Sequence, residues 1–402
     1  MKEASENSIH SDNYNDNYKT SRSEFKAPHR SIEVAFHPSH SDKRDGPDFR
    51  LDSSWRYELD TIISEFRQIL VHFLHPIFIV VQCICYKLYF YLLAMAHLCF
   101  SSDYKRSQVT YKQLNQTLST LNISQHVSKR IIYIRHGESE WNVLFNRPWS
   151  SSTVWYAIQA LLKEFIALPT SGSIFLDSPL STTGVRKSLL LQKRIRSLSD
   201  ALNEYSSASK ISLLHCLQTS SADSIIVTSN LRRSIQTALI ASKGRLQLDK
   251  EQLYVLSSLQ EIGRNMDTLS LGTTANNNPS DGVDAISTCD RNAVRNYSNN
   301  STSAEQKKAK LNWSWNHGNK AVFGCAQARM KQFLEWVFAR QERVVIVYGH
   351  SLWLREFCRL YLTPGLDHPM KRIKLHNCEV VSFVVEHHQG RFHIEPKSFL
   401  FI

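Results

Sequence analysis

Residues 130–142 read Arg-Ile-Ile-Tyr-Ile-Arg-His-Gly-Glu-Ser-Glu-Trp-Asn, a short apolar run that stops at a basic pair and a glycine. Ile131 to Ile134 are β-branched or aromatic, which predicts a buried strand. Gly137 lets the backbone approach another group closely. A parallel strand of an α/β sheet delivers its C-terminal residues to the ligand crevice. Arg135 and His136 then stand at the mouth of a pocket. The guanidinium is a planar fork that can give two hydrogen bonds to a phosphate, and the imidazole is a candidate nucleophile or proton carrier. Taken alone, the pair reads equally well as the plain end of a strand.

Two more strand ends favour the functional reading. Ser224 to Thr228 is a second apolar run, followed by Ser229-Asn230-Leu231-Arg232-Arg233, which predicts a helix capped by Ser or Asn with both arginines in its first turn. Arg343 to Tyr348 is a third buried run, ending in Gly349-His350-Ser351 before a predicted helix from Leu352 to Leu362. Three strand-to-helix junctions therefore end in basic residues. A dianionic phosphate needs such converging cations, together with the backbone donors of helix N-termini.

These residues resemble the histidine phosphatase superfamily, the phosphoglycerate mutase-like proteins. The family's Arg-His-Gly hallmark and its extension to Trp-Asn match Arg135 through Asn142. Its Ser-x-Leu-x-Arg-x-x-x-Thr-Ala pattern matches Ser229 to Ala238 and selects Arg233 over Arg232. Its second histidine matches His350, and its Leu-x-Glu matches Leu259-Gln260-Glu261. Asp177-Ser178-Pro179-Leu180-Ser181 is similar to its Asp-x-Pro-Leu segment. The resemblance implies a three-layer α/β/α sandwich with a mostly parallel central sheet. It also implies that His136 is the nucleophile, Glu261 the proton donor, and Arg135, Asn142, Arg233 and His350 the phosphate-binding residues, with His350 cationic during transfer. No metal and no cofactor are expected, because two arginines and a histidine carry the charge. Without the resemblance, Glu261 reads as readily as a helix cap. Mutases of the family follow this glutamate with Arg-His-Tyr-Gly, whereas Ile262-Gly263-Arg264-Asn265 follows here. That departure favours a phosphomonoester hydrolase over a mutase. The expected partner is a phosphorylated small molecule or phosphoprotein. An interaction protein with a vestigial pocket is the remaining class, and the complete set of catalytic positions speaks against it.

A chain of 402 residues can bury a sizeable core. Its net charge of +12 is read as dispersed solvated lysines, since no basic-aromatic nucleic-acid motif is present. Residues 1–60 are polar and poor in aliphatics, which predicts a disordered tail. Residues 61–127 form the next segment, with an apolar run from Ile69 to Phe100 that contains one formal charge, Lys87. Ile77 to Cys99 is long enough to cross a bilayer, although a central lysine costs about 2.5 to 3.5 kcal/mol. Pro76, His72 and His75 argue against a span that begins earlier. The run therefore spans a membrane, lies on one with Lys87 reaching the interface, or packs on the following domain. The corresponding location is the cytoplasm or the cytoplasmic face of a membrane.

The catalytic domain is expected over residues 128–402. Within it, Trp155 to Leu168 reads as a packing helix and Gly184 to Ser207 as the helix of the first crossover. Residues 264–323 are rich in Asn, Ser and Thr and read as a flexible insertion, with Arg264 to Asp267 near the pocket. The sequons at Asn296 and Asn300 are read as chance matches. Eight cysteines lack metal-ligand or redox spacing and are expected as free thiols.

Overall fold

The structure is a computed structural model that describes residues 53–104, 126–145, 151–170, 172–200, 216–219, 223–248, 251–272 and 309–402. Residues 1–52 of the expected N-terminal tail and both sequons lie outside these residues, whereas residues 53–60, expected as disordered, are helical. The chain divides into two units at Ser64/Glu65. The first is represented only by the beginning of α1 (Ser53–Phe100), and the sheet, the core and the site belong to the second.

Among the described residues, eight strands form one sheet: β1 (Val127–Arg135), β2 (Ser224–Ser229), β3 (Gln252–Leu256), β4 (Lys310–Trp315), β5 (Val344–Gly349), β6 (Val380–His388), β7 (Arg391–Ile394) and β8 (Leu400–Phe401). Their order is β4-β3-β2-β5-β1-β6-β7, with β8 also on β6. The five strands from β4 to β1 are mutually parallel; β6, β7 and β8 pair antiparallel at the other side. The remaining helices are α2 (Glu140–Phe145), α3 (Ser151–Ala167), α4 (Thr182–Asp200), α5 (Arg232–Ala241), α6 (Lys243–Leu246), α7 (Ala326–Phe338) and α8 (Ser351–Tyr361).

The strand period of two creates two cores from one sheet. On β1, Ile131 and Tyr133 face the layer of α7 and α8, where Phe333, Trp353 and Phe357 pack. Ile132 and Ile134 face the opposite layer, with Leu191 of α4 and Ile235 of α5. The expected α/β/α sandwich with its mostly parallel sheet is the observed fold, and the three strand ends lie where the apolar runs stop.

The local readings change in four places. Helix α5 has Leu231 at its N-cap and no side-chain cap of its own. Asp177, far away in sequence, accepts the Arg232 N–H at 2.7 Å in its place. The stretch expected as flexible contains β4 and an ordered run to Phe323. Asn319 and Lys320 in that run bond Gln260, and Lys320 also bonds the Glu261 carbonyl. Helix α1 continues unbroken through Pro76, and a 44-residue stretch of it is long and apolar enough to cross a membrane. Lys87 points inward, almost fully buried, and donates to the Ala167 carbonyl at the C-terminal end of α3. A cation there completes an unpaired carbonyl and complements the helix dipole.

The C-terminal half of α1 packs on the sandwich through Phe90 and Ala94, against Leu176 and Leu269. It continues into Ser101-Ser102-Asp103, and the Asp103 carboxylate takes Lys320 at 3.1 Å and Arg329 at 2.6 Å. All cysteines among the described residues are free.

Gly184 marks the tightest approach: a Cβ there would lie 2.0 Å from the Glu138 carbonyl oxygen. Gly184→Ala should therefore lower stability by about 1–3 kcal/mol, read as a fall in denaturation midpoint; an unchanged midpoint would mean that the two loops are not held this closely.

Candidate active site

The strand order itself gathers the chemistry. β3, β2, β5 and β1 are consecutive parallel neighbours, so their C-terminal ends open on one edge. Arg135 closes β1 and His136 follows it. His350 follows Gly349 at the end of β5. Arg233 lies in the first turn of α5, just after β2, and Glu261 follows the short turn after β3. The His136 and His350 rings are 5.0 Å apart, tilted by 57°. Glu261 Oε2 stands 4.0 Å from His350 Nδ1. All five side chains are buried.

The neutral tautomer of His136 is set by its own loop. Its Nδ1 is 2.6 Å from the Gly137 carbonyl oxygen; a carbonyl can only accept, so Nδ1 carries the proton and Nε2 keeps a lone pair. Asn377 Nδ2 donates to the His136 carbonyl at 3.0 Å, and the Gly137 N–H donates to Thr237 Oγ1 at 3.0 Å. His350 Nε2 lies 2.8 Å from Ser229 Oγ, while Nδ1 is buried without a partner. The backbone at His350 is clamped by Tyr133, whose hydroxyl accepts the His350 N–H and donates to its carbonyl.

The two arginines have different partners. Arg233 donates from Nη1 to the Asp267 carbonyl at 2.7 Å and pairs through Nη2 with the Asp267 carboxylate at 3.4 Å. Arg232 turns away to the carbonyls of Ser173, Leu176 and Asp177 and is a structural residue. Arg135 donates from Nη1 to the Leu375 carbonyl, and its Nε is buried without a partner.

Burial and like charge drive both histidines far below their usual titration range. The dominant cause is loss of water, with Arg233 and Arg135 adding to it, so both rings are neutral among the protein's own groups. A cationic His350 therefore requires the negative charge of a phosphate beside it to offset the arginines. Glu261 moves the other way. Its carboxyl is pushed up by burial, against the opposing pull of Arg233, the Ile262 and Trp353 N–H groups and Lys320. A raised carboxyl can hold a proton to give away.

Asn142 lies on α2, half-buried; its backbone N–H donates to Ser139 Oγ at 3.3 Å. Among the described residues no side-chain hydrogen bond joins it to the cluster, so its role rests on the resemblance alone. Several supporting residues had no assignment in the sequence. Ser229 and Asp267 stand inside stretches already singled out but lack any spacing signal. Lys374 and Asn377 occupy the loop before β6. The positive charge of Lys374 opposes protonation of His136. Lys320, held by Asp103 and by the carbonyls of Glu261 and Gly263, is lowered to about 8, mainly by burial. A cavity of about 620 Å³ behind Ile262, between α7 and α8, shares no lining residue with the phosphate cluster.

No family model and no curated protein matches this chain. Among solved structures, a mycobacterial glucosyl-3-phosphoglycerate phosphatase is similar at 15% identity and a TM-score of 0.32, over 67% of this chain and 98% of that one. A phosphoglycerate mutase from Bacillus anthracis is similar at 16% identity and 0.33, over 68% and 94%. A phosphoserine phosphatase from Entamoeba histolytica, in complex with 3-phosphoglyceric acid, is similar at 14% and 0.30, over 67% and 95%. These neighbours are histidine phosphatase or phosphoglycerate mutase-like proteins, and at such identities no reaction or substrate passes from them to this chain.

Asp267→Ala leaves Arg233 with a carbonyl as its remaining anchor. Inorganic phosphate should then bind about tenfold more weakly, a loss of about 1.4 kcal/mol, by isothermal titration; equal affinity would show that Arg233 holds its place without the carboxylate.

Proposed function

We propose that this protein is a phosphomonoester hydrolase of the histidine phosphatase type. The observation that carries the reading is the buried cluster of His136, with Nε2 unprotonated, beside Arg135, Arg233, His350 and the Glu261 carboxyl, whose protonated form burial favours.

In the first half-reaction, His136 Nε2 attacks phosphorus in line. The P–N bond forms as the bond to the ester oxygen breaks, and Glu261 gives that oxygen its proton. Arg135, Arg233 and His350 hold the three remaining oxygens and neutralise their charge through the transition state. The alcohol leaves. In the second half-reaction the Glu261 carboxylate takes a proton from water, whose oxygen attacks the phosphohistidine. The P–N bond breaks, inorganic phosphate is released, and both residues return to their starting states. The substrate class is a phosphorylated small molecule or phosphoprotein. A mutase differs by passing the phosphoryl group to a second hydroxyl instead of water, and the Ile262-Gly263-Arg264-Asn265 sequence after Glu261 weighs against it.

His136→Ala should abolish acid-labile labelling by phosphate esters and slow hydrolysis of p-nitrophenyl phosphate at least about 10³-fold. Full activity without His136 would end this reading. Isomerised 3-phosphoglycerate, assayed with its bisphosphate, would replace it with the mutase. Glu261→Gln should slow alkyl phosphates by about 10²–10⁴-fold, and p-nitrophenyl phosphate, with its better leaving group, much less.

The pH profile has a defined sign. His136 titrates low, so the nucleophile stays competent below the ordinary histidine value of about 6.5. Glu261 titrates high, so the acid stays protonated above the ordinary glutamate value of about 4.3. The rate should fall on the alkaline side as Glu261 ionises. In Glu261→Gln that limb should vanish; if it remains in place, another group is the acid.

A further inference from the structure

Helix α3 is built inside out. Its inward face carries Thr153, Ala160 and Glu164, small or polar residues at helical spacing. Its outward face carries Val154, Trp155, Ile158, Leu161, Leu162, Phe165 and Ile166, with Leu161 60%, Phe165 72% and Ile166 73% exposed. A helix that packs on an aqueous domain has the opposite arrangement. Trp155 to Leu168, expected as a packing helix, thus buries its small and polar residues and leaves the large apolar ones exposed.

The adjoining part of α1 buries Phe90 and Ala94, yet it too turns polar groups inward and large apolar ones outward. Lys87 and His97 are buried, while Leu88, Leu92, Met95, Leu98 and Phe100 are more than half exposed. The two helices are joined by their polar groups. Lys87 donates to the Ala167 carbonyl, and Tyr91 donates to Glu164 at 2.7 Å. Glu164 also accepts from Ser173 Oγ and from the Ile174 N–H. The charged groups Lys87 and Glu164 are thus withdrawn from the outer surface and satisfied between the elements. This is how ionisable residues are accommodated beside hydrocarbon. The exposed apolar side chains of the two helices are far more than the scattered ones of an aqueous surface. Those of α1 lie within the stretch that is long and apolar enough to cross a membrane.

We propose that the outward face of α3, together with α1, is a lipid-contacting surface whose occupant is the acyl region of a phospholipid bilayer. The catalytic unit is then seated in the membrane by a second element and is not merely tethered through α1. Lys163, the exposed charge of α3, lies 4.0 Å from Glu140 of α2, at a flank where it can stay in the headgroup layer.

The test places the photoreactive residue benzoylphenylalanine, one position at a time, at Leu162, Ile166 and, as a control, Lys193 on the exposed face of α4. The full chain is reconstituted in phosphatidylcholine vesicles that carry an alkyne-tagged acyl chain. Each substitution is at an exposed position and leaves the core intact, which p-nitrophenyl phosphate hydrolysis or phosphate binding checks. Lipid adducts at positions 162 and 166, absent at 193, are the expected result. Adducts to a second polypeptide, either another copy of this chain or a different protein, would overturn the proposal in favour of a protein interface. No adduct at 162 and 166, or equal labelling at all three sites, would overturn it by leaving α3 in water.

Discussion

The pair between Arg233 and Asp267 is the constraint around which the site is arranged. Its side chains are 3% and 8% exposed, so the guanidinium is neither solvated nor free to swing. A phosphate-binding cation must be desolvated to act strongly, yet a buried cation without a partner is costly. One carboxylate, together with the carbonyl of the same residue, meets that cost while leaving part of the guanidinium fork unengaged. Burial also pushes the Asp267 carboxyl upward, against the pull of Arg233. The site is thus a positively biased volume that only partly neutralises itself, and in such a volume two imidazoles stay uncharged.

The support of that pair reaches well beyond the sheet edge. Asp267 belongs to a short turn, Met266–Thr268, followed by Leu269, which packs with Leu176 against Phe90 and Ala94 of α1. Glu261 is braced from the other side by Lys320, whose carboxylate partner Asp103 lies just past the end of α1. His136 and His350 therefore depend on the sheet, whereas Arg233 and Glu261 depend on loops that lean on α1. The two halves of the site have different structural origins.

That division explains what the sequence could show. The strand ends at Arg135, Ser229 and Gly349 are local features: apolar runs that stop, each followed by a helix. They were legible from composition alone. Choosing Arg233 over Arg232, and giving Glu261 a role beyond a cap, required the resemblance, because both choices turn on partners distant in the chain. The cap of α5 is such a case, supplied by Asp177 and invisible to any local rule. Strand β4 went unread because Lys-Leu-Asn-Trp-Ser-Trp is an edge strand that buries only Trp313 fully, so its pattern resembles the polar stretch around it. The stripe on α3 was visible as periodicity, but periodicity does not state which side faces the protein. The partner of Lys87 is hidden from local rules for the same reason, since its acceptor, Ala167, is far along the chain.

The ionic tie at Asp103 fixes where this protein can be shortened. A truncated chain that begins at β1 keeps Arg135, His136, Arg233, Glu261 and His350 and every strand of the sheet. It would nonetheless lack the carboxylate shared by Lys320 and Arg329, as well as the Phe90 and Ala94 side chains that cover Leu176 and Leu269. Lys320 would be left as a buried ammonium against two carbonyls, and removing one partner of a buried pair costs about 3–5 kcal/mol, a large part of a domain's stability. A piece that keeps these supports therefore begins within α1, and it carries apolar helix surface with it.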